Sequence, residues 1–220
     1  MNAASNVRIC LVTLGLALGC YGLASATAEL NTVPRPAFPA DPAKIAPPAG
    51  DVPGWLQAIP LFRSDLESNH ALMAALQTVQ RAKPGGGASP DNVRARSRVR
   101  QALSSAPYDA DLWLALALLE SQHDPSGPAM LEALKMTYFT APNDTRLMPV
   151  RLDTATQFDA LVDPDLAELA RGDIRLMLTR RADLKPAVVL AYRRASKQGK
   201  EFLEQAVKAI EPSFVATLRG

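Results

Sequence analysis

The chain has 220 residues, 48% of them hydrophobic, enough to bury one sizeable core. Its 24 Lys and Arg against 22 Asp and Glu leave a net charge of +2, a balance that argues against a dedicated nucleic-acid binder. Only two histidines and two cysteines are present, so metal and thiol chemistry have few side chains to draw on.

The first 28 residues read as a targeting segment. A short n-region ends at Arg8, an apolar run follows from Ile9 to Leu23, and Ala24-Ser25-Ala26-Thr27-Ala28 supplies small residues for cleavage. The expectation is a signal peptide over residues 1–28, removed after Ala28, which places the protein in the periplasm or outside the cell. The alternative is an inner-membrane anchor over residues 9–28, about 20 residues and just long enough to span a bilayer. Cys10 and Cys20 both fall inside this segment. A processed chain would carry no thiol, and its stability would come from packing without a disulfide.

Residues 29–54 hold Pro34, Pro36, Pro39, Pro42, Pro47, Pro48 and Pro53. Proline at that density favours extended polyproline II, and a disordered linker is expected. An apolar knot follows at Trp55, Leu56, Ile59, Leu61 and Phe62. From there to residue 220 the chain reads as one α-helical domain. A first helix is predicted over Asp65–Arg81. Ser89-Pro90 caps the second, Asp109 the third, and Asp124-Pro125-Ser126-Gly127-Pro128 turns into the fourth. Asn143-Asp144 is read as the start of a fifth, Asp163-Pro164 of a sixth and Asp183 of a seventh. The eighth runs from about Gln198 to Ile210, with Phe202, Leu203, Ala206, Val207 and Ile210 on one stripe, and Pro212 ends it. No alternating β pattern of useful length occurs.

A period of 34 relates Ala95 to Ala129, Val99 to Ala133 and Ala102 to Met136, and Pro107 falls one residue short of matching Pro142. A fixed period of this size marks a helical repeat. Trp113, Leu116 and Ala117 then open the next helix. Over residues 91–142 this resembles the tetratricopeptide repeat, whose units run aromatic, leucine, small residue, then Ala, a large apolar residue, Ala and Pro. Glu120 departs from the pattern, standing where an aromatic is usual. Ala133 stands where a large apolar residue is usual, and Lys83-Pro84-Gly85-Gly86-Gly87 displaces a helix. The resemblance implies an all-α array of antiparallel helix pairs closing into a compact domain, and a binding surface without a reaction. A full aromatic truncation at Trp113 would then cost about 3–5 kcal/mol.

Candidate chemistry is sparse. No HExxH, CxxC, GxSxG or P-loop spacing occurs, so no metal, cofactor or catalytic residue is assigned. His123 reads as a helix-terminal residue favoured by the dipole. Asp163, Asp165 and Glu168 read as first-turn acids of the sixth helix. The most distinctive charges are Arg94, Arg96, Arg98 and Arg100, which form either an electropositive patch for an anionic glycan, a lipid surface or an acidic protein, or a solvated face paired with local acids. Leu114 and Leu118 stand where repeats of this type present groove-facing polar residues, so a groove ligand would have to be apolar.

The expected function is therefore an exported, non-enzymatic helical-repeat protein that contacts a protein partner in the cell envelope, with polysaccharide assembly or export as a setting. Rival readings are an envelope hydrolase or lyase using Asp163 and Glu168, and a lipid or glycan carrier with an apolar pocket near Leu114 and Leu118.

Overall fold

The computed structural model describes residues 3–30, 35–39, 64–81 and 89–220. The apolar knot at Trp55 to Phe62, most of the proline-rich segment and the Lys83 to Gly87 stretch lie outside these residues. Two units are distinguished, one holding helix α1 and the other holding α2 to α10 together with Phe38. α1 spans Ala3–Leu30 and is apolar around its whole circumference, with Ile9, Leu11, Val12, Leu14, Leu16 and Leu18 all exposed. Among the described residues, no helix is long and apolar enough to cross a membrane.

The second unit is all-helical, as expected: α2 Ser64–Arg81, α3 Pro90–Ser105, α4 Ala110–His123, α5 Pro128–Thr140, α6 Met148–Gln157, α7 Pro164–Thr179, α8 Lys185–Arg194, α9 Lys197–Ile210 and α10 Phe214–Arg219. Side-chain caps set four of the starts. Ser89 accepts from the Asn92 N–H at 3.1 Å, and Asp109 accepts from the Asp111 and Leu112 N–H groups. Asp163 accepts from the Leu166 N–H at 2.9 Å, and Ser196 from the Gly199 N–H at 3.1 Å. Each satisfies one or two of the amide donors that a helix start leaves orphaned. Prolines in the first two positions of α3, α5, α6, α7 and α8 fix φ where no intrahelical N–H is lost.

Packing divides this unit into two groups of helices. In the first, α2 packs on α3, α3 on α4 and α4 on α5, while α2 also reaches α4. The buried stripe of α3 is Ala95, Val99, Ala102 and Leu103, small enough at two positions to bring the helices close. α4 is apolar on nearly every side, and Leu112, Leu114, Ala115, Leu116, Ala117 and Leu119 are all buried. In the second group, α6 is the hub, packed by α7, α8 and α9, and every residue from Met148 to Thr156 is buried. Its Thr154 and Thr156 hydroxyls donate back to the Val150 and Leu152 carbonyls at 2.7 and 2.8 Å, so their burial leaves no orphan donor.

Arg151 sits in the middle of α6 and is fully buried. Its Nε and Nη2 donate to the two Asp173 carboxylate oxygens of α7 at 3.1 and 3.0 Å. Nη1 donates to the Thr137 and Ala141 carbonyls at the end of α5, at 3.2 and 2.8 Å. The guanidinium also lies 4.3 Å from the Tyr138 ring centroid. One side chain thus ties both helix groups together. Burial pushes the Asp173 carboxyl up to about 7 against the pull of Arg151, and burial likewise drives the Tyr138 phenol well above its usual range.

Several local expectations are corrected. Residues 143–147 form turns and α6 starts only at Met148: the Leu147 N–H closes on the Asp144 carbonyl at 3.1 Å, while the Asp144 carboxylate accepts from the Arg146 N–H at 3.0 Å and from its guanidinium. Asp183 pairs with Arg181 in a short 3-10 helix, Ala182–Leu184, and α8 begins after it. α10 and the 3-10 helix Asp159–Val162 are too short for a readable period. Phe38, inside the expected linker, is buried in the core. Ala129, the 34-residue counterpart of buried Ala95, is exposed, since α5 starts 38 residues after α3 (128 minus 90). Val99 and Ala133 are both buried. Trp113 is only half-buried, and its Nε1 donates to the Pro107 carbonyl at 2.8 Å.

Four stability measurements follow from this packing. A Cβ at Gly199 would stand 2.1 Å from the Thr156 carbonyl oxygen, a backbone atom of α6 that also accepts the Ser196 N–H at 3.0 Å. Gly199→Ala is expected to cost about 3 kcal/mol and lower the thermal midpoint by roughly 6–12 °C. Trp113→Ala is expected to cost about 1–3 kcal/mol, below the fully buried range, because the side chain packs against the core without being fully buried. Arg151→Ala should cost about 3–5 kcal/mol by leaving Asp173 buried and unpaired, whereas Arg151→Met with Asp173→Leu should recover much of that loss. Because the folded Asp173 pKa is raised, its contribution is fully present below about 3.8 and is lost as pH rises through about 7. Asp173→Asn should remove that part of the slope from denaturant-measured stability between pH 4 and 7.

Candidate functional site

The buried stripe of α3 decides where its four arginines can go. With Ala95, Val99 and Ala102 turned inward, Arg94 and Arg98 share the opposite, wet stripe one turn apart. The Arg94 side chain is 73% exposed and only loosely paired, with Asp91 at 3.6 Å. Arg98 is exposed and makes no ion pair among the described residues. Its charge reaches α2, where partial burial first and Arg98 second hold the His70 imidazole below its ordinary value.

Arg96 and Arg100 behave differently. Arg96 is 12% exposed and donates to Glu120 Oε2 of α4 at 2.8 Å, while Arg100 donates to Oε1 at 2.5 Å. Glu120 is buried, so its carboxylate is taken out of water only because two guanidiniums meet it. This accounts for an acid where the repeat pattern has an aromatic: the α3–α4 contact here is ionic at that level. The Arg96 Nε is buried without a partner, so the trio is incompletely satisfied. A second polar clasp lies at the start of α3. Asn92 Nδ2 donates to the Leu119 carbonyl and to Gln122 Oε1, both at 2.9 Å, and Gln122 Nε2 donates to the Val79 carbonyl of α2 at 3.0 Å. Three helices are thereby fixed in register.

The four arginines are therefore not one patch. Arg94 and Arg98 form the free face, Arg96 is structural, and Arg100 belongs to both, its side chain being 55% exposed. Leu114 and Leu118 do not line a groove as expected. Leu114 is fully buried and Leu118 is half-buried against the core, because α2, α3 and α5 cover α4 from several directions. The acids of the rival enzymatic reading are engaged in structure. Asp163 caps α7 and accepts from Lys135 Nζ at 2.6 Å, which holds its carboxyl below the usual carboxylate range. Asp165 also faces Lys135, at 3.4 Å, and Glu168 pairs with Arg171 on its own helix. His123 is exposed in the last turn of α4. Among the described residues, no group of three or more His, Cys, Asp or Glu side chains could hold a metal ion.

Sequence reasoning missed the two buried ion-pair centres. Glu120 carried a signal, a lone acid closing the apolar run Leu112–Leu119. Arg151 carried none, because its helix is only 10 residues long and shows no clear polar face. Glu120→Ala is expected to cost about 2–4 kcal/mol in chemical denaturation, since Arg96 would remain nearly buried without its counter-charge. Arg94→Gln and Arg98→Gln should change stability by less than about 0.5 kcal/mol.

No protein-family model matches this sequence, and no curated protein or solved structure is significantly similar to it.

Proposed function

We propose that this chain is an exported, non-enzymatic helical-repeat protein of the tetratricopeptide kind, which contacts a protein partner in the cell envelope. Assembly or export of an envelope polysaccharide is the setting we favour. The observation that carries the reading is the pairing order of α2 to α5. α2 packs on its own second helix α3 and on α4, the first helix of the next pair, and α4 packs on its own second helix α5, the stacking by which repeat proteins build an extended contact surface. Export is supported by Arg8, the apolar run to Leu23 and the small residues from Ala24 to Ala28.

The free face of α3 suits an acidic protein surface. Arg94 and Arg98 are exposed, one turn apart, and held on a helix whose inner side is locked by Glu120 and Gln122. Rigid placement lowers the ordering cost of contact. The engagement of Asp163 by Lys135 and of Glu168 by Arg171 favours this reading over a hydrolase or lyase. The burial of Leu114 favours it over a carrier with an apolar pocket at that point.

Two measurements test the proposal. N-terminal sequencing of the protein from whole cells should recover a chain beginning at Glu29, and an intact Met1 in the cytosol would end the export reading. Affinity capture from solubilised envelope, with wild type and with Arg94→Gln/Arg98→Gln at low and physiological salt, should retain a partner that the variant loses and that salt weakens. Screening of exposed charges over about 8–10 Å requires that salt dependence. Equal recovery in all four conditions would show the arginines to be only a solvated face.

A further inference from the structure

A second basic feature lies at the other end of the sequence. From Lys185 to Lys200 the chain carries five cations and no acid. Four of them, Arg193, Arg194, Lys197 and Lys200, flank the turn between α8 and α9, where only Ala195 and Ser196 separate the two helices. Arg193 and Lys197 are exposed. The Lys200 ammonium lies 5.7 Å from the Tyr192 ring centroid, and the residue is half-buried. Arg194 approaches the buried Asp153 at 3.4 Å and so belongs mainly to the fold.

The turn also has an apolar neighbour. The Thr156 carbonyl at the end of α6 accepts the Ser196 N–H, so the chain leaves α6 beside the turn and forms the 3-10 helix Asp159–Val162, which packs on α9. Val162 on that helix is 69% exposed. The acids bordering these two segments are Asp159 and Glu201, both exposed, and Asp163 and Asp165 just after Val162, which face Lys135 at 2.6 and 3.4 Å.

We propose that the α8–α9 turn docks on an anionic phospholipid surface, with Arg193, Lys197 and Lys200 meeting headgroup phosphates and Val162 entering the interfacial layer. Charge complementarity selects an anionic partner. Long cationic side chains around a helix–helix turn can reach a flat array of phosphates together. The exposed valine favours lipid over a glycan or nucleic acid, because only the lipid offers an apolar layer beneath its charges. The site is independent of the α3 face, so either can fail without the other.

The test uses the full chain and vesicles of phosphatidylglycerol in phosphatidylcholine against phosphatidylcholine alone, with the ratio of bound fractions as readout. Arg8 is present in every arm, so the change in ratio between variants is what decides. Wild type should prefer the anionic vesicles, and Arg193→Gln/Lys197→Gln/Lys200→Gln should reduce that ratio by at least about tenfold at low salt. Glu201→Gln should raise it, and Val162→Ser should weaken binding a few-fold without changing its salt dependence. Arg94→Gln/Arg98→Gln should leave it unchanged. A triple variant with an unchanged thermal midpoint that keeps the wild-type ratio would overturn the proposal. So would a wild-type ratio of one, or loss of the ratio in the α3 variant instead.

Discussion

The fold depends on a buried guanidinium. α6 is the hub of the second helix group, and its centre is occupied by Arg151 where a leucine would ordinarily sit. A fully buried cation is costly unless its donors are spent, and Arg151 spends them in three directions: on Asp173 of α7, on the α5 carbonyls of Thr137 and Ala141, and through its face on Tyr138. The geometry of the guanidinium explains the choice. A planar fork can serve a carboxylate with one edge and two carbonyls with another, which an ammonium on a flexible stem does not do. α5 and α6 belong to different helix groups, and this residue sets how the chain passes from one to the other.

The same logic recurs in the first group on a smaller scale. α4 is so apolar that sliding along α3 would change its buried area little. Glu120, gripped by Arg96 and Arg100, and Gln122, gripped by Asn92, each have one register in which their hydrogen bonds close. Apolar area drives these helices together, and a few buried polar groups choose among the arrangements that would bury it equally well. The second group adds a steric device, the contact of Gly199 with the Thr156 carbonyl, which brings α9 against α6 at a distance no other residue permits.

These commitments shape what the surface can do. The acids and arginines with partial or full burial are largely spent on structure, and the exposed charges lie on helix exteriors and turns, among them Arg94 and Arg98 on α3 and Arg193 and Lys197 at the α8–α9 turn. Charges so placed attract and orient partners at a surface, and are screened by salt as exposed charges are.

How far the sequence alone determined this protein varies with the range of the interaction involved. The all-helical class was legible, as were the starts of α3, α4, α5 and α7, because caps and prolines act within three or four residues of themselves. The apolar circumference of α4 was legible too, and it required the burial that the structure shows. The late start of α6 was not, because Asp144 could cap a helix or close a turn with Arg146, and the tertiary packing of Met148 and Pro149 chose the latter. Nor was the division of the arginines, since a spacing of two distributes Arg94, Arg96, Arg98 and Arg100 around a helix without revealing that a buried acid 20 or more residues away would claim two of them. Leu114 was misplaced for the same reason: a helix apolar on every side does not say which side its neighbours leave open. What the sequence determined was local backbone geometry and how much must be buried. The tertiary structure decided which polar groups meet, because that depends on contacts between residues distant in the chain, whose energies appear only once water has been excluded from between them.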